Sequence, residues 1–396
     1  MGAPHPLDPL TAAEFRQVAA VLRREGGVGT GWRFASIELA EPSKDALQAV
    51  PAGRGAAGAG GGGPDGTARP GPRREALAVC WNTGDGQAYR AVVSLADDAV
   101  VSWEHLPGQQ PNLTADEWRE CDEMLREHPR LAAALARRGI TDLSLVLTDV
   151  WAYPPSLVPE RHRGLRLGWS DVWCRGSEQG SPYAHHLSGL HPIVDLNRME
   201  MLELEDDPPG GDPTGRPEVM GEYLPKLIGV PLRDVRPLHV SQPEGVSFTL
   251  DGYLLSWQNW RLRLGFNYRE GLVLHTVGFT DNGRLRPVAH RLSFAEMVVP
   301  YRDVTVDHFR RTAFDIGEWG LGVMTTSLEL GCDCLGEITY LDAVVPDSRG
   351  EPRTIPNAIC IHEEDSGVLW KHVDHAFGGE VRRARRLVVS FHVTVA

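Results

Sequence analysis

The chain has 396 residues, 42% of them hydrophobic and 23% charged, a balance that suits two or three globular domains. A formal net charge of -13 argues against nucleic acid as a partner, because such binders present a basic face. No apolar run reaches the roughly 20 residues of a membrane helix, so no membrane partner is expected.

The segment Met1 to Leu10 lacks a basic stretch followed by an apolar one, so no signal peptide is expected and the default compartment is the cytoplasm. Thr11 to Arg24 reads as an amphipathic helix. Thr11 and Glu14 have capping-box spacing, and Phe15, Val18, Ala19 and Leu22 share a face. Trp32–Leu39 has strand character. The stretch 51–75 is mostly Gly, Ala, Pro and Arg and is expected to be a flexible loop. Strands are predicted at Ala76–Trp81, Ala88–Leu95 and Ala99–His105, the first two joined through the turn Asn82-Thr83-Gly84-Asp85-Gly86.

Leu113-Thr114-Ala115-Asp116-Glu117-Trp118 then repeats the pattern of Leu10-Thr11-Ala12-Ala13-Glu14-Phe15. A helix follows, with Trp118, Cys121 and Leu125 on one face. A second helical stretch, Arg130 to Gly139, lies beyond Pro129. Strand patterns come next at Leu143–Ala152 and Gly164–Trp173. The shared order of helix then strands favours duplication of a small α+β domain over two unrelated capped helices. Residues 1–106 and 107–205 are the expected copies.

Residues 206–228 are expected to be a linker, its start acidic and rich in Pro and Gly. Residues 229–396 have a different character. Strand patterns at Val246–Thr249, Leu254–Leu264, Leu272–Phe279 and Arg286–Leu292 predict a large antiparallel β-sandwich. Leu387 to Ala396 reads as a strand with no turn or polar tail after it, so the sandwich is expected to be incomplete at its C-terminus. Six cysteines are too few for a disulfide scaffold.

Six stretches of this β region carry a specific resemblance. They are Gln242-Pro243-Glu244-Gly245 with Ser247-Phe248, Trp257-Gln258-Asn259-Trp260, Arg269-Glu270-Gly271-Leu272, Glu296-Met297-Val298-Val299-Pro300-Tyr301, Ser327 to Gly336, and Ile359 to Asp365. Together they resemble the copper- and topaquinone-dependent primary-amine oxidases. The resemblance implies two small α+β domains ahead of a catalytic β-sandwich and a homodimer. It also implies oxidation of small primary amines by O2 to aldehyde, ammonia and hydrogen peroxide.

On that resemblance Asp315 matches the base that removes a proton from the substrate carbon, and Tyr301 matches a phenol that hydrogen-bonds the cofactor. Ala313 stands where many relatives carry an aromatic gate. Phe314, Trp319, Trp118, Val150 and Tyr183 align with the substrate channel. Cys334 and Cys360 match a family disulfide. Arg385-Arg386 and Ser390-Phe391 match the approach to the cofactor tyrosine. That tyrosine and the copper-ligand histidines are expected beyond Ala396, so neither cofactor-binding nor metal residues are expected here. The chain alone is expected to be inactive unless a separate C-terminal fragment supplies them. A non-catalytic dimerisation or binding module derived from the family is the alternative. A third reading makes His362, Glu363 and Glu364 the ligands of a hydrolytic metal, although their spacing departs from the His-Glu-x-x-His pattern.

Overall fold

The computed structural model describes residues 4–47, 72–208, 222, 224–229, 236, 238–294, 297–301, 304–305, 307–311 and 313–394. Most of the expected loop 51–75 and most of the linker 206–228 lie outside these residues. Asp206, the expected start of the linker, ends a strand instead.

The first helix spans Ala12–Glu25 and packs on a four-stranded antiparallel sheet: β1 (Trp32–Ala40), β2 (Glu75–Asn82), β3 (Ala88–Ser94) and β4 (Ala99–Leu106). Phe15, Val18, Ala19 and Leu22 close over Phe34, Ile37, Ala78 and Val93. A second unit repeats this plan. Helices Ala115–Arg126 and Pro129–Arg137 precede β5 (Val146–Ala152), β6 (Leu167–Cys174), β7 (Leu190–Asp195) and β8 (Glu200–Asp206), which again lie in sequential order. Its core holds Cys121, Leu125, Leu131, Val150 and Val172.

The duplication extends to one ionic device. Thr11 and Glu14 form the expected capping box, and so do Thr114 and Glu117. In both copies the box glutamate also pairs with an arginine just ahead of the second strand. Arg74 binds Glu14 and donates to the carbonyls of Asp8 and Pro9. Arg166 binds Glu117 at 2.7 Å and donates to the carbonyls of Pro111 and Asn112. One carboxylate thus satisfies free helix N–H groups and anchors the incoming loop.

The remaining chain forms a sandwich. One sheet contains β9 (Phe248–Asp251), β10 (Leu254–Trp257), β11 (Trp260–Asn267), β12 (Gly271–Asp281) and β13 (Arg284–Ser293). Facing it are β17 (Thr339–Pro346), β18 (Pro352–Asp374) and β19 (Gly378–Ser390). Leu255, Leu264, Val345, Ile355, Ile359 and Ile361 fill the shared core. Between the sheets in sequence run β14 (Val298–Pro300), β15 (Ala313–Asp315) and β16 (Thr325–Thr326). The short β20 (His392–Val393) pairs with β16.

Four expectations are corrected. Leu254–Leu264 is a hairpin rather than one strand, because Gln258 takes a φ of 51° and turns the chain between Trp257 and Trp260. Leu143–Leu145 is a turn of 3-10 helix before β5, started by Asp142, whose carboxylate accepts from the Ser144 N–H. The strand expected from Leu387 is divided, with Ser390 ending β19 and His392 joining β16. Strands β7 and β8 were not anticipated. The six residues of β7 are all buried, so no polar alternation marks it.

Two stability predictions follow from these pairings. Thr11→Ala removes an exposed cap and should lower unfolding free energy by about 1 kcal/mol. Glu117→Ala strands the buried Arg166 and should cost about 3–5 kcal/mol. Urea denaturation of both variants checks the contrast, and equal losses would contradict it. Acid sensitivity supplies the second. Hydrogen bonds from Arg291, aided by Ser293 and Asn267, hold Glu270 down from an ordinary value of 4.5 to about 2. Its stabilising contribution is therefore present above the unfolded value and is lost as pH falls through the folded one. Melting temperature should drop between about pH 4.5 and 2, and Glu270→Gln should flatten that part of the profile.

Candidate functional site

The β14–β15 pairing sets Val298 opposite Asp315, Val299 opposite Phe314 and Pro300 opposite Ala313. Tyr301 follows directly on β14, so the backbone brings Tyr301, Ala313, Phe314 and Asp315 to one strand pair. For Ala313, Phe314 and Asp315 the placement is that of the backbone. The helical turn Ile316–Trp319 follows, and the Ile316 N–H donates to the Met297 carbonyl.

Two glycines hold this turn against the sandwich. Gly322 donates to the Tyr268 carbonyl at 2.9 Å. A Cβ on Gly322 would stand 1.9 Å from the Asn267 carbonyl oxygen, and Gly320 has a φ of 98°. Only glycine permits that backbone to approach so closely.

Trp319 packs into the core of the second small domain, the cluster that contains Val150 and borders Trp118. It also joins Ile316 and Leu321 beside Trp151. Three of the expected channel residues, Trp118, Val150 and Trp319, are therefore brought together. Val150 is fully buried. Tyr183 is placed elsewhere, edge-on to Trp173 at 5.4 Å. The sulfurs of Cys334 and Cys360 face each other 2.8 Å apart.

Tyr301 is 40% exposed and meets Trp151 edge-on at 6.4 Å. Arg311 lies over the Trp151 ring at 4.1 Å and over the Tyr301 ring at 5.5 Å. These are cation–π distances. The guanidinium of Arg311 also pairs with Asp171. Asp171 stands directly across from Asp149 on the neighbouring strand, so the buried Asp171 and the half-buried Asp149 both lie in the field of this one cation. Burial pushes Asp149 up, although its oxygens accept from the Trp118 and Trp151 indoles.

Further histidines gather on the same side. His186 Nε2 lies 3.3 Å from an Asp171 oxygen, and His191 bridges toward Asp307 at 3.2 Å. Burial opposes ionisation of Asp307, but bonds from His191, Ser188 and the Gly189 N–H outweigh it and hold the carboxyl well below its usual range. Among the described residues, Asp171, His186 and His308 form a group of possible metal ligands. Sequence reasoning missed this group because its members come from β6, the loop before β7 and the loop after β14. The adjacent His185-His186 pair was the visible signal.

The His362, Glu363 and Glu364 reading fares differently. Glu363 is buried, and its carboxylate accepts from Gln242, the Ser247 N–H and the Trp257 indole. Glu364 is paired with Arg386 and hydrogen-bonded to His362. These partners leave the segment a structural role.

Arg311→Gln should destabilise the protein by about 3–5 kcal/mol, because it leaves Asp149 and Asp171 opposed without a cation. Adding Asp171→Asn should restore part of the loss. Chemical denaturation of the single and double variants measures the coupling, and strict additivity would contradict the pairing.

Comparison with known proteins converges on one family. Residues 249–396 match the model "Copper amine oxidase, enzyme domain", residues 5–106 the N2 domain and residues 116–212 the N3 domain. A primary amine oxidase of Arthrobacter sp. (strain P1) is 43% identical over 398 residues, which is 100% of this chain and 58% of that protein. The histamine oxidase of Arthrobacter globiformis is 41% identical over 99% of this chain and 55% of its own length. The crystal structure of a copper-containing benzylamine oxidase from Hansenula polymorpha superposes with a TM-score of 0.83 at 27% identity, covering 99% of this chain and 60% of that one. The chain thus spans less than two thirds of the length of these relatives. On these matches, the chain belongs to the copper amine oxidase family.

Proposed function

We propose that these residues form part of a primary-amine oxidase, which converts a primary amine, O2 and water into an aldehyde, ammonia and hydrogen peroxide. The observation that carries this reading is the β14–β15 pairing, which sets Tyr301 beside Ala313-Phe314-Asp315 in a chain of this family.

The implied cofactors are copper and topaquinone. The 396 residues contain neither a His-x-His pair nor an Asn-Tyr-Asp/Glu-Tyr segment. The donors present in these residues therefore do not fit either group. What this chain contributes is substrate handling. Asp315 takes the proton from the carbon that bears the amine. A base positioned for that transfer contributes about 10²–10⁴ in rate. Tyr301 donates a hydrogen bond from its phenol, its ring held by Trp151 and Arg311. Ala313, with no bulk beyond Cβ, leaves the entrance open to the amine. Trp319 and Trp118 supply apolar surface, packed in one cluster with the buried Val150.

The domain division 1–106, 107–205, 206–228 and 229–396 is part of the same proposal, as is a cytoplasmic location. So is a homodimer, supported by the β18–β19 arm, which exposes Leu369, Trp370, Val373 and Phe377. A Cys334–Cys360 disulfide is included as well, supported by the facing sulfurs.

The test uses the protein as it is encoded, with whatever sequence flanks these residues, expressed with copper. Peroxide release is measured against a panel of primary amines, and phenylhydrazine is used to titrate the quinone. The expected outcome is a coloured adduct together with amine-dependent peroxide. Asp315→Asn should keep the adduct-forming quinone and lower kcat by about 10²–10⁴. A protein that forms the quinone yet oxidises no primary amine would refute the activity. An Asp315→Asn variant with unchanged kcat would refute the base assignment.

A further inference from the structure

Where the second small domain meets the segment between β14 and β15 lies a constellation that the oxidase reading does not use. Asp171, His186 and His308 each offer a ligand atom, and these atoms all lie within 4.8 Å of one another. Asp171 is fully buried, whereas the two histidines are partly exposed. The site is therefore anchored at its base by Asp171. We propose that Asp171, His186 and His308 bind a divalent transition-metal ion of the zinc class, in a two-histidine, one-carboxylate site with an open position for water.

The geometry suits such an ion. Zinc takes imidazole nitrogen and carboxylate oxygen at about 2.0–2.2 Å, so ligand atoms around a tetrahedron stand about 3.3 Å apart. His186 Nε2 is already 3.3 Å from Asp171 Oδ1. The imidazoles of His186 and His308 face each other with centroids 5.4 Å apart and planes 36° apart. With all ligand atoms within 4.8 Å of one another, closure on a cation asks for a shift of at most about 1.5 Å, a side-chain adjustment.

The surroundings are those of an oriented site. Arg311 binds the second oxygen of Asp171 and leaves Oδ1 to face the histidines. Ligating carboxylates are commonly held in this way by an outer hydrogen bond. His191 supports the same carboxylate from 3.6 Å. His191 is in turn held by Asp307, whose oxygens accept from Ser188 Oγ at 2.5 Å and the Gly189 N–H at 2.6 Å. Trp173 lies against His186 with centroids 4.7 Å apart and limits the orientations its ring can take.

Charge also favours a cation. Asp149 stands opposite Asp171 across the strands, and Asp307 reaches His191 beside them. Arg311 counters Asp149 and Asp171. Three carboxylates thus meet one guanidinium around imidazoles that ligate in their neutral form. A bound ion would also bridge β6 of the small domain to the segment between β14 and β15, which carries Tyr301 at its start.

The test is zinc binding by the protein as it is encoded, loaded with copper beforehand so that only further sites can take zinc, followed by calorimetry and metal analysis. We expect one zinc per chain and a melting temperature that rises with zinc concentration. His186→Ala and His308→Ala should each weaken binding by at least about tenfold. His186→Gln and His308→Gln serve where an alanine variant fails to fold. His372→Ala, on the exposed arm, should bind like the parent chain. Equal zinc affinity in the parent and the His186 and His308 variants would overturn the assignment. So would zinc binding that survives in those variants but is lost in Cys334→Ser, and so would a parent chain that takes up no zinc. None of these readouts depends on amine oxidation, so the oxidase reading can fail while this site stands.

Discussion

Two carboxylates face each other inside the second small domain, on adjacent strands at Asp149 and Asp171. Like charges placed there repel and are costly to bury. The arrangement persists because Arg311 arrives from a distant part of the chain, pairs with Asp171 and lies over Trp151. That contact fixes more than the charge. It ties the segment between β14 and β15 to the small domain, and so sets Tyr301 against Trp151. Through the β14–β15 register it sets the backbone of Asp315 as well. The candidate oxidase residues and the histidine group thus depend on the same ion pair.

The two small domains show how one device can be kept while its surroundings diverge. Each uses a capping-box glutamate twice, for helix N–H groups and for an arginine ahead of the second strand. In the first copy the glutamate retains some exposure, whereas in the second it has none. Burial raises the importance of a complete set of partners. The second copy also receives Trp319 and Arg311 from the enzyme domain. Its sheet therefore packs against the segment that carries Arg311 and Trp319.

Glycine plays a corresponding part on the sandwich side. Gly320 and Gly322 let the chain after Trp319 run against the backbone of Asn267 and Tyr268. The turn carrying Ile316 to Trp319 is held by main-chain hydrogen bonds as well as by side-chain packing. Such a frame limits how far the neighbouring strand pair can drift.

Sequence by itself determined the local features. The Thr-x-x-Glu boxes are contiguous motifs whose bonds close within three residues, so both helix starts were legible. Alternation marked most of the sandwich strands, and six ordered motifs pointed to the family. Tyr301 stood out as a candidate because it ends one of those motifs, and Asp315 through its own match to the family. Tertiary structure alone decided the rest. β7 is buried on both faces and shows no alternation. The hairpin at Gln258 looked continuous because both of its strands alternate. The grouping of Asp171, His186 and His308 joins residues more than a hundred positions apart, and no local pattern records it. Contacts of that span are fixed by packing and by neutralisation of buried charge, which act only once the domains have closed on one another.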